Sequence, residues 1–129
     1  MKILPDGYKF QYGINGLLNG VIDLLFLHNG KYYIADYKTN KLKSYSKNSV
    51  WTAMAECGYI LQAYLYTMAF YKLMKQRDKD FSFADHFGGI LYLFPKGMDR
   101  HGHGVWYHTP TEKCILELLN LTGNGVDGI

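Results

Sequence analysis

The stretch that decides the fold is VIDLLFLHNGKYYIADYKTN, Val21 to Asn40. Asn29-Gly30 separates two apolar runs, and an Asn-Gly pair in that setting is the strongest short-range hairpin signal, because both central residues of a type I′ turn need positive φ. A two-residue turn fixes the register: His28 pairs with Lys31, and counting outward brings Asp23 opposite Asp36. Side chains alternate along a strand, so Asp36 and Lys38 point to the same face. Two carboxylates and a lysine therefore converge on one patch with apolar flanks on both strands.

Like charges facing each other across a hairpin destabilise it, and desolvation in an apolar sheet adds to the cost. A divalent cation compensates naturally. Hard oxygen ligands suit Mg²⁺ or Mn²⁺, which keep several waters and bind through one or two carboxylates plus substrate phosphate oxygens. A lysine beside such a cluster orients an attacking water and neutralises charge building up on a phosphate. The constellation suits metal-assisted phosphodiester hydrolysis. The competing interpretation is plain: Asp36-Tyr37-Lys38 ends a strand at the surface, and Asp23 forms an ordinary salt bridge with Lys38 or Lys31.

Outward from the hairpin, residues 3–14 are short and mixed, a strand or irregular lead-in, and residues 17–26 read as strand. Thr39 to Asn48, TNKLKSYSKN, is a polar, basic surface loop. Met54, Leu61, Leu65, Met68 and Tyr71 recur at helical spacing in a proline-free stretch, which predicts one long helix over 49–75 capped by Ser49. FGGILYLF (87–94) is a buried strand stopped by Pro95. Residues 96–104 form a loop, 105–108 a short strand, 111–121 a short helix and 122–129 a flexible tail. Strand, strand, helix, strand, strand, helix is a mixed α/β (α+β) arrangement in one domain.

The 129 residues, 48% hydrophobic and 19% charged, have the balance of a globular domain with a real core, which excludes disordered and fibrous classes. No run of about 18 apolar residues and no signal-peptide pattern occurs, so no membrane span is expected and the default compartment is the cytoplasm. A net charge of +3 permits a polyanionic partner without demanding one. Most of the 12 tyrosines and 7 phenylalanines are read as core. Cys57 and Cys114 are too few for a disulfide scaffold and lack metal-site spacing, so both are expected to be reduced and to pack as small apolar groups. His101-Gly102-His103 reads as an exposed turn. No G-x-S-x-G elbow marks a serine nucleophile, and no G-x-x-x-x-G-K-[ST] loop marks a nucleotide motor.

Asp23 followed by Asp36-x-Lys38 across a hairpin resembles the PD-(D/E)xK nuclease superfamily, whose core motif is an acidic residue on one strand and D/E-x-K on the next. GVIDLLF (20–26), YYIADYKTN (32–40), ILQAYLYTMAF (60–70) and HFGGILYLFPKGMD (86–99) are similar, in order, to successive blocks of one branch, the RecB-type nuclease domains of bacterial helicase-nucleases. The resemblance implies a restriction-endonuclease-like mixed sheet flanked by helices. It implies a Mg²⁺-dependent DNA exonuclease domain over residues 1–121, working in double-strand-break repair and DNA degradation. Its partners would be DNA, the helicase portion of the same polypeptide and RecC- and RecD-like subunits. Carried over by position, Asp23 and Asp36 are metal ligands with the backbone carbonyl of Tyr37, and Lys38 is the catalytic lysine. Gln62 and Tyr66 match the family's Q-x-x-x-Y element, and their spacing puts both on one helix face, where they would flank the site and hold DNA or Lys38. Lys41 and Lys43, with Lys47, are candidate phosphate contacts. The family also draws a histidine and acidic residues from an upstream helical segment, and none of His28, His86, His101, His103 or His108 stands there. The expectation is a domain incomplete at its N-terminus. The alternatives are a non-catalytic DNA-binding or subunit-docking fragment, and a standalone repair or phage-type exonuclease.

Overall fold

The computed structural model describes residues 2–3, 8–10 and 20–121. The Asn-Gly turn is present, with Asn29 at φ 50° and Gly30 at φ 78°. It joins β4 (Leu24–His28) to β5 (Lys31–Tyr37), antiparallel in the expected register, His28 opposite Lys31 through Leu24 opposite Ala35. A five-stranded sheet forms around this hairpin in the order β1-β4-β5-β6-β7, with β1 at Lys2–Ile3, β6 at Phe87–Leu93 and β7 at Val105–His108. A separate pair, β2 (Tyr8–Phe10) and β3 (Gly20–Ile22), makes a second small sheet. β6 runs parallel to β5 and antiparallel to β7. A parallel neighbour needs a long crossover, and the crossover is helical.

The crossover departs from the expected single helix over 49–75. It is two helices, α1 (Lys47–Glu56) and α2 (Tyr59–Arg77), broken at Cys57-Gly58. The Cys57 N–H still bonds back to the Ala53 carbonyl at 3.0 Å, but Gly58 adopts φ 74°, a left-handed conformation that ends one helix and opens the next in a new direction. Ser46, not Ser49, caps α1: its Oγ accepts the Ser49 N–H at 3.3 Å. Leu61 is exposed, whereas Met54, Met68 and Tyr71 are buried.

The expected strand over 17–26 is also interrupted. In its described part the chain bends at Asp23, between β3 and β4, because the Asp23 carboxylate turns to accept the Tyr37 N–H at 2.9 Å instead of continuing the ladder. A four-residue helix, α3 (Phe83–His86), was too short to show periodicity; Ser82 Oγ accepts the Asp85 N–H there. α4 (Glu112–Leu121) follows β7 as expected, and the tail 122–129 lies outside the described residues, as does part of the 3–14 lead-in.

The core lies between the sheet and the crossover helices. Residues 66–73 of α2 are buried all round, the mark of a central helix rather than an amphipathic one. Phe70 meets Tyr32 of β5 and Phe87 of β6, with ring centroids at 5.6 and 5.4 Å. On the same face the ladder sets Asp36, Tyr92 and Trp106 in a row across β5, β6 and β7. Trp51 of α1 packs edge-on against Trp106 at 5.3 Å, and Ile115 and Leu119 turn one stripe of α4 inward. This row places an aspartate at the edge of an aromatic core. No helix among the described residues is long and apolar enough to cross a membrane.

Candidate active site

Asp36 is 4% exposed. A lone carboxylate would not be left there ionised, and this one has two neighbours. Lys38 Nζ lies 2.9 Å from its Oδ2, because the alternation of β5 puts both side chains on one face. Asp23 approaches from the bend before β4 and hydrogen-bonds to Asp36 through the carboxyls. Burial, reinforced by Asp23, pushes Asp36 up to about 7, with Lys38 pulling the other way. Asp23 is lowered, first by the hydrogen bond from Asp36, with burial opposing and with the Tyr37 N–H and Lys38 assisting. With burial and Asp23 both opposing its charge, Asp36 is the carboxyl of the two that takes a proton more readily.

Lys38 stands over aromatic rings. Its Nζ is 4.0 Å from the Tyr59 centroid and 5.4 Å from that of Tyr92. Tyr92 is fully buried and donates its hydroxyl to Gln62 Oε1 at 2.7 Å; burial first, then the carboxylates, drives its phenol far above the usual range. Tyr66 is 5% exposed, and burial together with Asp36 and Asp23 pushes it up to about 12, so it stays a neutral phenol beside the acidic pair. The structure thus brings Asp23, Asp36, Lys38, Gln62 and Tyr66 together, the last two turned toward the protein rather than outward. Tyr37 sends its side chain to solvent and its N–H to Asp23.

Lys41 and Lys43 are exposed on the loop after β5. That loop is anchored rather than loose: the Tyr45 hydroxyl accepts the Leu42 N–H at 3.2 Å, and the Tyr45 carbonyl accepts the Gly104 N–H at 2.9 Å, tying it to the β6–β7 connection. The His101-His103 turn is exposed as expected. His103 Nδ1 sits 2.6 Å from Asp99 Oδ2, and Asp99 Oδ1 accepts the His101 N–H at 2.8 Å. Both cysteines are free thiols, but Cys57 is exposed at the α1–α2 break and is not a packed apolar group. Its Sγ lies 3.7 Å from Asn40 Nδ2.

The sequence reading missed Tyr59, Tyr92 and Asn40. A signal existed for the first: Tyr59, Gln62 and Tyr66 fall at i, i+3 and i+7, one stripe of α2. Tyr92 was visible only through the parallel register that sets it beside Asp36.

The donor set fits a small hard cation. The carboxylate pair offers oxygen only, and a cation bound there would offset the like charge that burial makes costly. Among the described residues no cluster of three His, Cys, Asp or Glu side chains forms, so an ion here would keep several waters.

A hairpin carrying Asp23 and Asp36-x-Lys38, a parallel third strand and a helical crossover over the site define the class. The sequence profile of the PD-(D/E)XK nuclease superfamily matches residues 3–115, and the chain belongs to that superfamily. Its relatives include RecBCD enzyme subunit RecB of Escherichia coli K12, 41% identical over 112 residues that make up 83% of this chain and 10% of the relative. RecB of Haemophilus influenzae is 38% identical over 110 residues, 81% of this chain and 9% of the relative. RecB of Mycobacterium tuberculosis H37Rv is 33% identical over 125 residues, 87% of this chain and 11% of the relative. The chain thus spans about a tenth of the length of the curated relatives it matches. It is a nuclease-superfamily domain of the kind found in RecB, with the restriction-endonuclease-like mixed sheet and flanking helices anticipated from sequence.

Proposed function

We propose that this chain is a Mg²⁺-dependent DNA exonuclease domain of a RecBCD-type helicase-nuclease, with Mn²⁺ able to substitute. The observation that carries the reading is the buried Asp36 held between Asp23 and Lys38. Asp23, Asp36 and the Tyr37 carbonyl would hold the ion, which when bound lowers the pKa of water and polarises the phosphate. Lys38, within hydrogen-bond reach of Asp36, donates to the attacking water or to a phosphate oxygen as charge develops in an in-line displacement. Buried Tyr66 and the Gln62–Tyr92 pair would flank the site and hold its polar groups in place. Lys41 and Lys43, exposed on the loop after β5, would contact phosphates and position a strand without reading its sequence. RecC- and RecD-like subunits and a helicase portion are the partners the likeness to RecB suggests, in the bacterial cytoplasm.

A second reading, a DNA-binding or docking module without turnover, is favoured only by the two-carboxylate donor set among the described residues. Digestion of linear and circular single-stranded DNA in Mg²⁺ and in Mn²⁺, alongside Lys38→Ala and an EDTA control, separates the two. Metal-dependent degradation abolished by Lys38→Ala supports the nuclease. DNA binding without cleavage by the folded chain supports the module, and cleavage of circles reveals endonuclease capacity.

A further inference from the structure

The nuclease reading requires the Lys38 ammonium to stay in one place, although a flexible four-carbon stem gives it many. Asp36 supplies one anchor at 2.9 Å. The second is aromatic. Tyr59 presents its ring 4.0 Å from Nζ, where the negative face of the π-system attracts a cation. That ring is itself fixed: the Tyr59 hydroxyl donates to Asn40 Oδ1 at 3.0 Å, and the ring lies 5.9 Å from that of Tyr92 at an interplanar angle of 33°.

Asn40 is two residues beyond Lys38 on the same segment and also reaches Cys57 Sγ, so it ties the exit of β5 to the break between α1 and α2. The break acquires a purpose from this. Tyr59 is the first residue of α2, immediately after left-handed Gly58, and an unbroken helix would carry it elsewhere. Tyr59 is half-buried, packed at the margin of the core beside fully buried Tyr92, which leaves its ring face to Lys38.

We infer that Tyr59 is a positioning residue, whose ring, oriented by Asn40, holds the Lys38 ammonium against Asp36 for the phosphodiester chemistry proposed above.

The test compares the wild-type chain with Tyr59→Phe, Tyr59→Leu and Asn40→Ala, reading Lys38 by NMR and DNA digestion by kinetics. The Lys38 side-chain signals, assigned as those lost in Lys38→Arg, should lie upfield of the other lysines through the ring current. They should stay upfield in Tyr59→Phe, which keeps the ring, and return to the ordinary position in Tyr59→Leu. In Tyr59→Leu kcat should fall about tenfold with KM within about twofold, whereas Tyr59→Phe stays within about threefold of wild type, the pattern of an interaction used in the transition state. Asn40→Ala should fall between and remains informative where the leucine variant folds poorly. An ordinary Lys38 shift in the wild type, or an unchanged kcat in Tyr59→Leu, would overturn the positioning role alone. A wild-type chain with upfield Lys38 signals that cleaves no DNA would overturn the nuclease reading, and this role with it.

Discussion

Two acid–base pairs in this molecule are both in direct contact and have little else in common. Asp36 and Lys38 meet at 2.9 Å with side chains 5% and 15% exposed, and Asp99 and His103 meet at 2.6 Å with side chains 41% and 48% exposed. The first pair sits at the edge of an aromatic row with a second carboxylate against it. The second sits in a glycine-containing loop, where Asp99 also accepts backbone N–H groups of His101 and His103. Water screens one pair and not the other, so only the first carries a carboxyl raised to about 7 by burial, whereas Asp99 is lowered chiefly by its histidine. Contact alone does not make a site; desolvation with an unresolved charge does.

The largest expected consequence is in activity. Lys38→Ala should reduce DNA cleavage at least about a hundredfold, the scale of losing one donor to developing charge in a sheltered site. Asp99→Ala and His103→Ala should leave cleavage within about twofold. Equal losses in all three variants, in one digestion assay, would erase the distinction between the pairs.

Next comes stability and its dependence on pH. Asp36 rises from the ordinary carboxyl value of 3.8 to about 7 on folding, so between those values the folded chain binds more protons than the unfolded one. Stability of the metal-free protein should therefore fall as pH rises through that window. Asp36→Asn removes the decline and should be more stable than wild type by about 1–3 kcal/mol at pH 8, with a smaller gap at pH 4.5. Mg²⁺ should raise the melting temperature of wild type and not of the variant. A variant less stable than wild type at pH 8 would mean that Lys38 more than compensates the buried charge.

How much of this was legible beforehand follows the range of the interactions. Asn29-Gly30 is a local signal, and it gave the turn, the register of β4 against β5 and the meeting of Asp23, Asp36 and Lys38. The parallel pairing of β5 with β6 spans about fifty residues and leaves no local trace, so Tyr92's place beside Asp36 was hidden. The helix break was hidden for another reason. Apolar residues continue at helical spacing across Cys57-Gly58, and one glycine does not announce whether it is tolerated within a helix or ends it. Asp23 was read as a strand residue because its neighbours are apolar, whereas its own carboxylate bends the chain by taking the Tyr37 N–H.

The break yields a third, smaller effect. A Cβ built on Gly58 meets nothing within 4 Å, so Gly58→Ala introduces no clash and tests the left-handed backbone alone. The expected cost is about 1–2 kcal/mol in chemical denaturation. Because Tyr59 follows directly, cleavage should weaken as well. A variant losing neither stability nor activity would show that the junction between α1 and α2 does not fix the aromatic side of the site.

The smallest effect belongs to the exposed pair, and it sharpens the comparison from the other end. His103→Ala removes the ring that meets Asp99 Oδ2 but leaves Asp99 Oδ1 accepting the His101 N–H at 2.8 Å, so the turn keeps its own backbone bond. An exposed ion pair contributes little, and salt screens what there is. The melting temperature should move by no more than about one degree, and the difference should shrink further in high salt. A larger, salt-resistant loss would mean that this loop supports more than itself. The route is already present, since Gly104 at its far end donates to Tyr45 and accepts from Phe94, joining the β6–β7 connection to the loop that carries Lys41 and Lys43. On the structure that support runs through the Gly104 backbone and not through His103, which is why the histidine should be dispensable where the lysine is not.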